Sequence, residues 1–159
     1  MTAARLPTPV DRTWPLLCAA LAGGSEALAL ATTTRVLAQL DHVLDDLADA
    51  LKVEYFGPEV GLGQGHGVYR LVVRQHALGA VERQWGLRIC TALPHAGWRA
   101  DWALAAAGRQ RRGEVVAALP LFFAGYWSAV VQAAQDTSRA GQRLQALSAS
   151  FTAGETQGP

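Results

Sequence analysis

Lysine is almost missing from this chain. Lys52 stands alone, and the other 13 of its 14 basic residues are arginine. Together with abundant alanine, that bias points to a GC-rich bacterial genome. Cysteine is equally sparse. Cys18 and Cys90 are far apart and sit in no C-x-x-C spacing, which excludes a disulfide framework and a zinc ribbon. A reducing cytoplasm is therefore the expected setting. Histidines 42, 66, 76 and 95 are scattered, with no H-x-x-x-H pair. Serines 25, 128, 138, 148 and 150 lie in no G-x-S-x-G elbow. No G-K-[ST] marks a phosphate loop. These absences lead us to expect no catalytic residue, no metal and no cofactor.

Secretion is not expected either. Thr13–Ala31 carries a short apolar run ending in Ala-Leu-Ala. However, Asp11 offsets one of the two arginines ahead of it, and Gly23-Gly24 and Glu26 interrupt the run. Long uncharged stretches are also rare. The exception is 115–135, which has no charge for 21 residues and follows the basic "RQRR". That length suits a membrane span. Pro120, Gly125, Ser128 and two glutamines dilute it, so it reads as a buried helix of a soluble domain.

What is present suits one folded unit. The chain has 159 residues, half of them hydrophobic and 17% charged. That composition can bury a core without staples. We expect a flexible leader over 1–12, a single α+β domain over 13–151 and a disordered tail over 152–159. Thr13–Leu21 is a short helix candidate, with Thr13 as its cap and Pro15 in its first turn. Over Thr34–Val53, Leu37, Leu40, Leu44, Leu47 and Leu51 recur at steps of three and four, forming one stripe of an α-helix. Tyr55-Phe56-Gly57-Pro58 stops that helix. A loop with glycine at 61, 63, 65 and 67 follows. It lacks the G-x-G-x-x-G order and precedes a strand, the reverse of a dinucleotide turn.

Three period-two segments come next. In Val68–His76, Tyr69, Leu71 and Val73 lie on one side, and Arg70, Arg74 and His76 on the other. Arg83–Leu93 places Trp85, Leu87, Ile89 and Leu93 opposite Arg88 and Cys90. Trp98–Ala107 places Trp98, Trp102 and Leu104 opposite Arg99 and Asp101. A turn at Pro94–Gly97 links the last two. The tryptophans read as core rather than as stacking platforms for bases. Val115, Val116, Leu119, Phe122, Phe123, Tyr126, Val130 and Ala133 follow helical spacing. Pro120 predicts a kink or two abutting helices there. Arg139–Phe151 continues as a weaker helix. The fold expected is α+β. It has a three- to four-stranded antiparallel meander, a long N-terminal helix, and C-terminal helices packed on one face.

Charge is segregated along this plan. Residues 32–60 carry a balance of −4, with Asp41, Asp45, Asp46 and Asp49 on the leucine helix. Residues 66–112 carry a balance of +6. The aspartates lie at helix-neighbour spacing, but no Glu-x-x-His pattern or second acidic helix makes them a metal site. They face solvent, the basic sheet or a partner. The candidate binding residues are therefore Arg70, Arg74, His76, Arg88 and Arg99 on the outer sheet face, joined by His66 of the glycine loop. The function expected is that of a non-catalytic accessory protein. It would bind a partner protein, or itself, through the basic face, the acidic helix or the sheet edge. Two alternatives use the same face. One is a small anionic ligand, with or without a reaction, and the other is a nucleic-acid backbone.

Overall fold

The computed structural model describes residues 30–61, 68–93, 97–106 and 109–155. The leader, the short helix expected over 13–21, the segment 62–67 with His66, the turn residues 94–96 and the last residues 156–159 lie outside this description. The described chain runs α1 (Leu30–Leu51), β1 (Tyr55–Gly61), β2 (Val68–Ala77), β3 (Arg83–Leu93) and β4 (Gly97–Trp102). A 3-10 turn (Leu104–Ala106), α2 (Arg109–Gln132) and α3 (Arg139–Glu155) complete it. The four strands pair antiparallel in sequence order, a meander. The α+β architecture is thus the expected one.

The first strand corrects the sequence reading, which ended a helix there and began a loop. Gly57-Pro58 does not break the element. The two residues form a bulge, because Phe56 pairs with Val72 and Glu59 with Arg70. A Cβ at Gly57 would stand 2.7 Å from the Leu71 carbonyl oxygen, so glycine allows the close approach. β1 is an edge strand, where a proline costs the fewest ladder bonds. The last strand is shorter than expected. It ends at Trp102, and Leu104 begins the 3-10 turn. A carboxylate of α1 holds that turn: the Leu104 amide donates to Asp41 Oδ1 at 2.9 Å.

One side of the sheet forms the core with all three helices. Tyr69, Leu71, Val73, Leu87 and Ile89 are fully buried there. α1 lies along β3 and brings Leu37, Leu40, Leu44, Leu47 and Leu51, the predicted stripe, into the same cluster. α2 lies on β1, and α3 packs against α2 and α1 through Leu144 and Leu147. Burying each such side chain contributes about 1.5–3 kcal/mol. Tyr69 also reaches α2, donating its hydroxyl to Glu114 Oε2 at 2.8 Å.

α2 is one continuous helix with Pro120 inside it, not two abutting pieces. Its inner face fills an aromatic cluster. Tyr55 of β1 lies 5.5 Å from Phe122 and stacks on Tyr126 at 5.9 Å, centroid to centroid. The Tyr55 hydroxyl fits against Gly125, where a Cβ would overlap it. Ser138 caps α3 by accepting from the Gly141 amide at 3.0 Å. α3 then continues to Glu155, into the segment expected as tail.

Two glycines of the same helix should respond with opposite signs. Gly125→Ala forces the Tyr55 ring out of the cluster and should lower stability by about 1–3 kcal/mol. Gly113→Ala meets nothing within 4 Å and should raise it by about 0.5–1 kcal/mol through helix propensity. Urea unfolding midpoints of the two variants measure the contrast.

Candidate functional site

The second side of the sheet carries the predicted basic row. Strand register fixes which residues share it. Arg70 stands opposite Cys90, Val72 opposite Arg88, Arg74 opposite Gly86 and His76 opposite Gln84. Facing pairs in an antiparallel ladder lie on the same side. Arg70, Arg74, His76 and Arg88 therefore do gather on one face, joined by Phe56 and Glu59 of β1. Arg99 of β4 is placed by its backbone alone, which pairs with Thr91 of β3. A register shift between Ile89 and Cys90 separates the two halves of β4, which simple alternation from the sequence does not reveal. His66 lies outside the described residues.

The gathered cations are engaged within the chain. Glu59, directly across the ladder, holds Arg70 in an ion pair at 2.6 Å. That pair is largely solvated, so it contributes about 0–1 kcal/mol. The Arg74 guanidinium lies over the Phe56 ring, 5.8 Å from its centroid. Arg88 is tied most firmly. One nitrogen donates to Asp45 Oδ1 at 2.9 Å and to the Leu87 carbonyl at 2.7 Å, while the second lies 3.4 Å from Asp45 Oδ2. Both side chains of this pair are only about one-sixth exposed (16% and 17%). The acidic helix thus docks on the basic sheet through Asp45, one of the outcomes expected for it. The carboxylate rests against Gly86, where any Cβ would overlap it. Glycine at 86 is what lets helix and strand approach there.

Beneath this layer the face is closed. Val72 and Cys90 are fully buried, and His76 is 5% exposed. His76 Nε2–H donates to the Gly86 carbonyl at 3.2 Å. Nδ1 is then an acceptor, buried and without a partner. Burial, followed by the neighbouring Arg74 and Arg88 charges, lowers the His76 pKa below the ordinary histidine value. The ring is held neutral among cations. Among the described residues, no group of three or more His, Cys, Asp or Glu side chains is placed to hold a metal ion. Arg70 and Arg88 already face carboxylates, Arg74 lies over Phe56, and the imidazole beside them is neutral.

Sequence reasoning overlooked a second surface. The uncharged run 115–135 reads as wholly buried, yet only its inner residues are. Val115, Leu119, Phe122, Phe123, Tyr126 and Val130 face the core. Ala117, Leu121, Ala124, Ser128 and Val131 are exposed. Their spacing of four, three, four and three marks one stripe of the helix. The signal lay in the sequence as a second, weaker periodicity within the same uncharged run. Compared with known families, curated proteins and solved structures, the chain matches none.

Two predictions follow from this face. As pH falls, the unfolded chain takes up the His76 proton first, at its ordinary value of about 6.5. The stability that His76 contributes is therefore complete above that pH and is lost progressively below it. Thermal melts from pH 7.5 to 5.5 should show a steeper loss for the native chain than for His76→Gln. Separately, Asp45→Ala should lose about 1–3 kcal/mol, between the values for exposed and buried pairs. Gly86→Ala should lose a similar amount alone but far less when combined with Asp45→Ala. A double-mutant cycle by urea unfolding measures that coupling.

Proposed function

We propose that this chain is a non-catalytic interaction protein whose partner surface is the outer face of α2. The observation that carries the reading is the exposed stripe of that helix, where Leu121 is 63% and Val131 45% exposed. A solvated helix normally places charge on its outer face. This one has none between Glu114 and Asp136. An outer helix face without charge and with two exposed aliphatic side chains suits association. The other surfaces considered from the sequence have less to support them. The basic face has its arginines occupied by Glu59, Phe56 and Asp45. The same engagement weakens a nucleic-acid reading. The β1 edge is interrupted by the Gly57-Pro58 bulge, a device that discourages strand addition. The helix Arg112–Gln132 also has the length and hydropathy of a membrane span. Its inner face, interlocked with Tyr55 of β1, supports a protein partner instead.

A second reading has one specific observation in its favour. The unpartnered acceptor of His76 beside Arg74 and Arg88 suits an anion that carries a hydroxyl, such as a phosphate monoester. Millimolar inorganic phosphate would then raise the melting temperature, because a ligand of the native state stabilises it. No shift in the native chain, or an equal shift in His76→Gln, rules this reading out.

Native mass spectrometry of the full chain, purified gently from its host, tests the leading reading. Complexes present with the native chain should vanish with Leu121→Arg and survive Arg70→Gln and Asp46→Asn. The reverse pattern would return the interface to the basic face or the acidic helix.

A further inference from the structure

We propose that the turn between β2 and β3 is an endoproteolytic site, cut between Ala80 and Val81, and that the cut chain persists as one particle of two interlocked halves. The proposal is independent of the partner reading of α2. Its first support is access. The ladder closes at the pair Ala77 and Arg83, and residues 77–84 are exposed without a break. Val81 is 91% and Leu78 56% exposed. A Cβ on Gly79 would meet nothing within 4 Å, so the tip stands clear of its surroundings. The Leu78 amide donates to the Glu82 carbonyl at 2.9 Å, a solvated bond that opens at small cost. Exposed tips of small residues are where chains are nicked. The connection from α2 to α3 is exposed too, but its backbone is committed. The Gln135 amide donates to the Val130 carbonyl, the Ser138 amide to the Gln135 carbonyl, and the Ser138 hydroxyl caps α3.

The second support is chemistry. Solvated hairpin turns draw on Asn, Asp, Gly, Pro and Ser. This one reads Ala-Leu-Gly-Ala-Val before Glu82, with no proline to block an extended fit. Small aliphatic side chains beside an accessible bond suit the small apolar pocket of an elastase-type endopeptidase. Hydrolysis adds one water across the bond. The C–N bond breaks, the water oxygen joins the Ala80 carbonyl carbon, and the protons pass to the Val81 nitrogen. An Ala80 carboxylate and a Val81 ammonium result.

The third support is how the cut divides the fold. Residues 1–80 keep α1, β1 and β2, while 81–159 keep β3, β4, α2 and α3. Each half covers the other. α1 lies along β3, α2 lies on β1, and β2 pairs with β3 from Tyr69–Thr91 to Ala77–Arg83. Polar anchors also cross the cut: Asp41 to the Leu104 amide, Asp45 to Arg88, Tyr69 to Glu114 and Arg112 to Thr34. Neither half closes a core alone, and the cut removes none of these contacts.

Timed digestion of the full chain with elastase, read by intact mass and N-terminal sequencing, tests the proposal. The first cut among the described residues should expose Val81. The products should stay together in native mass spectrometry at the mass of the uncut chain plus one water. Their melting temperature should rise with concentration, as it should not before cutting, because refolding has become bimolecular. Val81→Pro should slow the cut by at least about 10-fold, since proline lacks the N–H and the free φ of an extended substrate. Ala80→Asp, which sets a charge in a small apolar pocket, should slow it similarly. Both side chains are exposed, so melting curves of the uncut variants should match the native chain. Gly125→Ala should leave the rate unchanged, because the turn is cut in the folded state. A first cut elsewhere among the described residues, a turn that resists elastase, or equal rates in the two turn variants overturns the site. A rate that climbs with the stability lost in Gly125→Ala overturns it too, by showing that unfolding comes first. Halves that part in native buffer overturn the interlocked particle.

Discussion

A meander that is apolar on one side and polar on the other has no stable existence by itself, and the arrangement of this molecule follows from covering that side. Tyr69, Leu71, Val73, Leu87 and Ile89 form a continuous apolar surface across the two central strands. Two helices divide it. α1 takes β3 and α2 takes β1, with α3 closing the space between them. Each helix is also anchored by polar atoms at the margin of the core. Asp41 holds the 3-10 turn, Asp45 holds Arg88, and Glu114 holds the Tyr69 hydroxyl. Hydrophobic cover is non-directional. These directional bonds give it a register.

The polar side of the sheet then becomes a question of neutralising charge rather than displaying it. Arginine suits this task because its planar fork can satisfy a carboxylate and a backbone carbonyl together. Arg88 does so between Asp45 and the Leu87 carbonyl. His76 is the exception. It is buried beside two guanidinium groups with one nitrogen unpartnered, and its pKa is lowered first by burial and then by the neighbouring cations. The face that looked like a display of positive charge has its arginines engaged within the chain, Arg70 and Arg74 by β1 and Arg88 by α1.

α2 is the element with apolar residues to spare. Its inner residues complete the aromatic cluster around Tyr55, and its outer residues repeat an apolar pattern with no part of the described chain to meet it. Helices that are hydrophobic all round are normally enclosed on all sides. Here the fold encloses one side. The association proposed above supplies the other by the same physics that formed the core.

Much of this was legible in the residues alone. The leucine stripe of α1, the alternation of β2 and β3, and the helical spacing of α2 each report a local period, and local periods survive without knowledge of the fold. β1 was not legible, because Gly57-Pro58 carries the chemistry of a breaker and only pairing with Leu71 turns it into a bulge. The pairing of β4 was hidden by its register shift, which depends on the strand beside it. The candidate face was legible as a row of cations, but its partners were not: Asp45 lies 43 residues from Arg88 in the chain. The sequence by itself determined which residues are apolar, at what period, and which segments carry which charge. Only the tertiary structure decided which charges meet and which apolar face remains uncovered, because both depend on contacts between segments far apart in sequence.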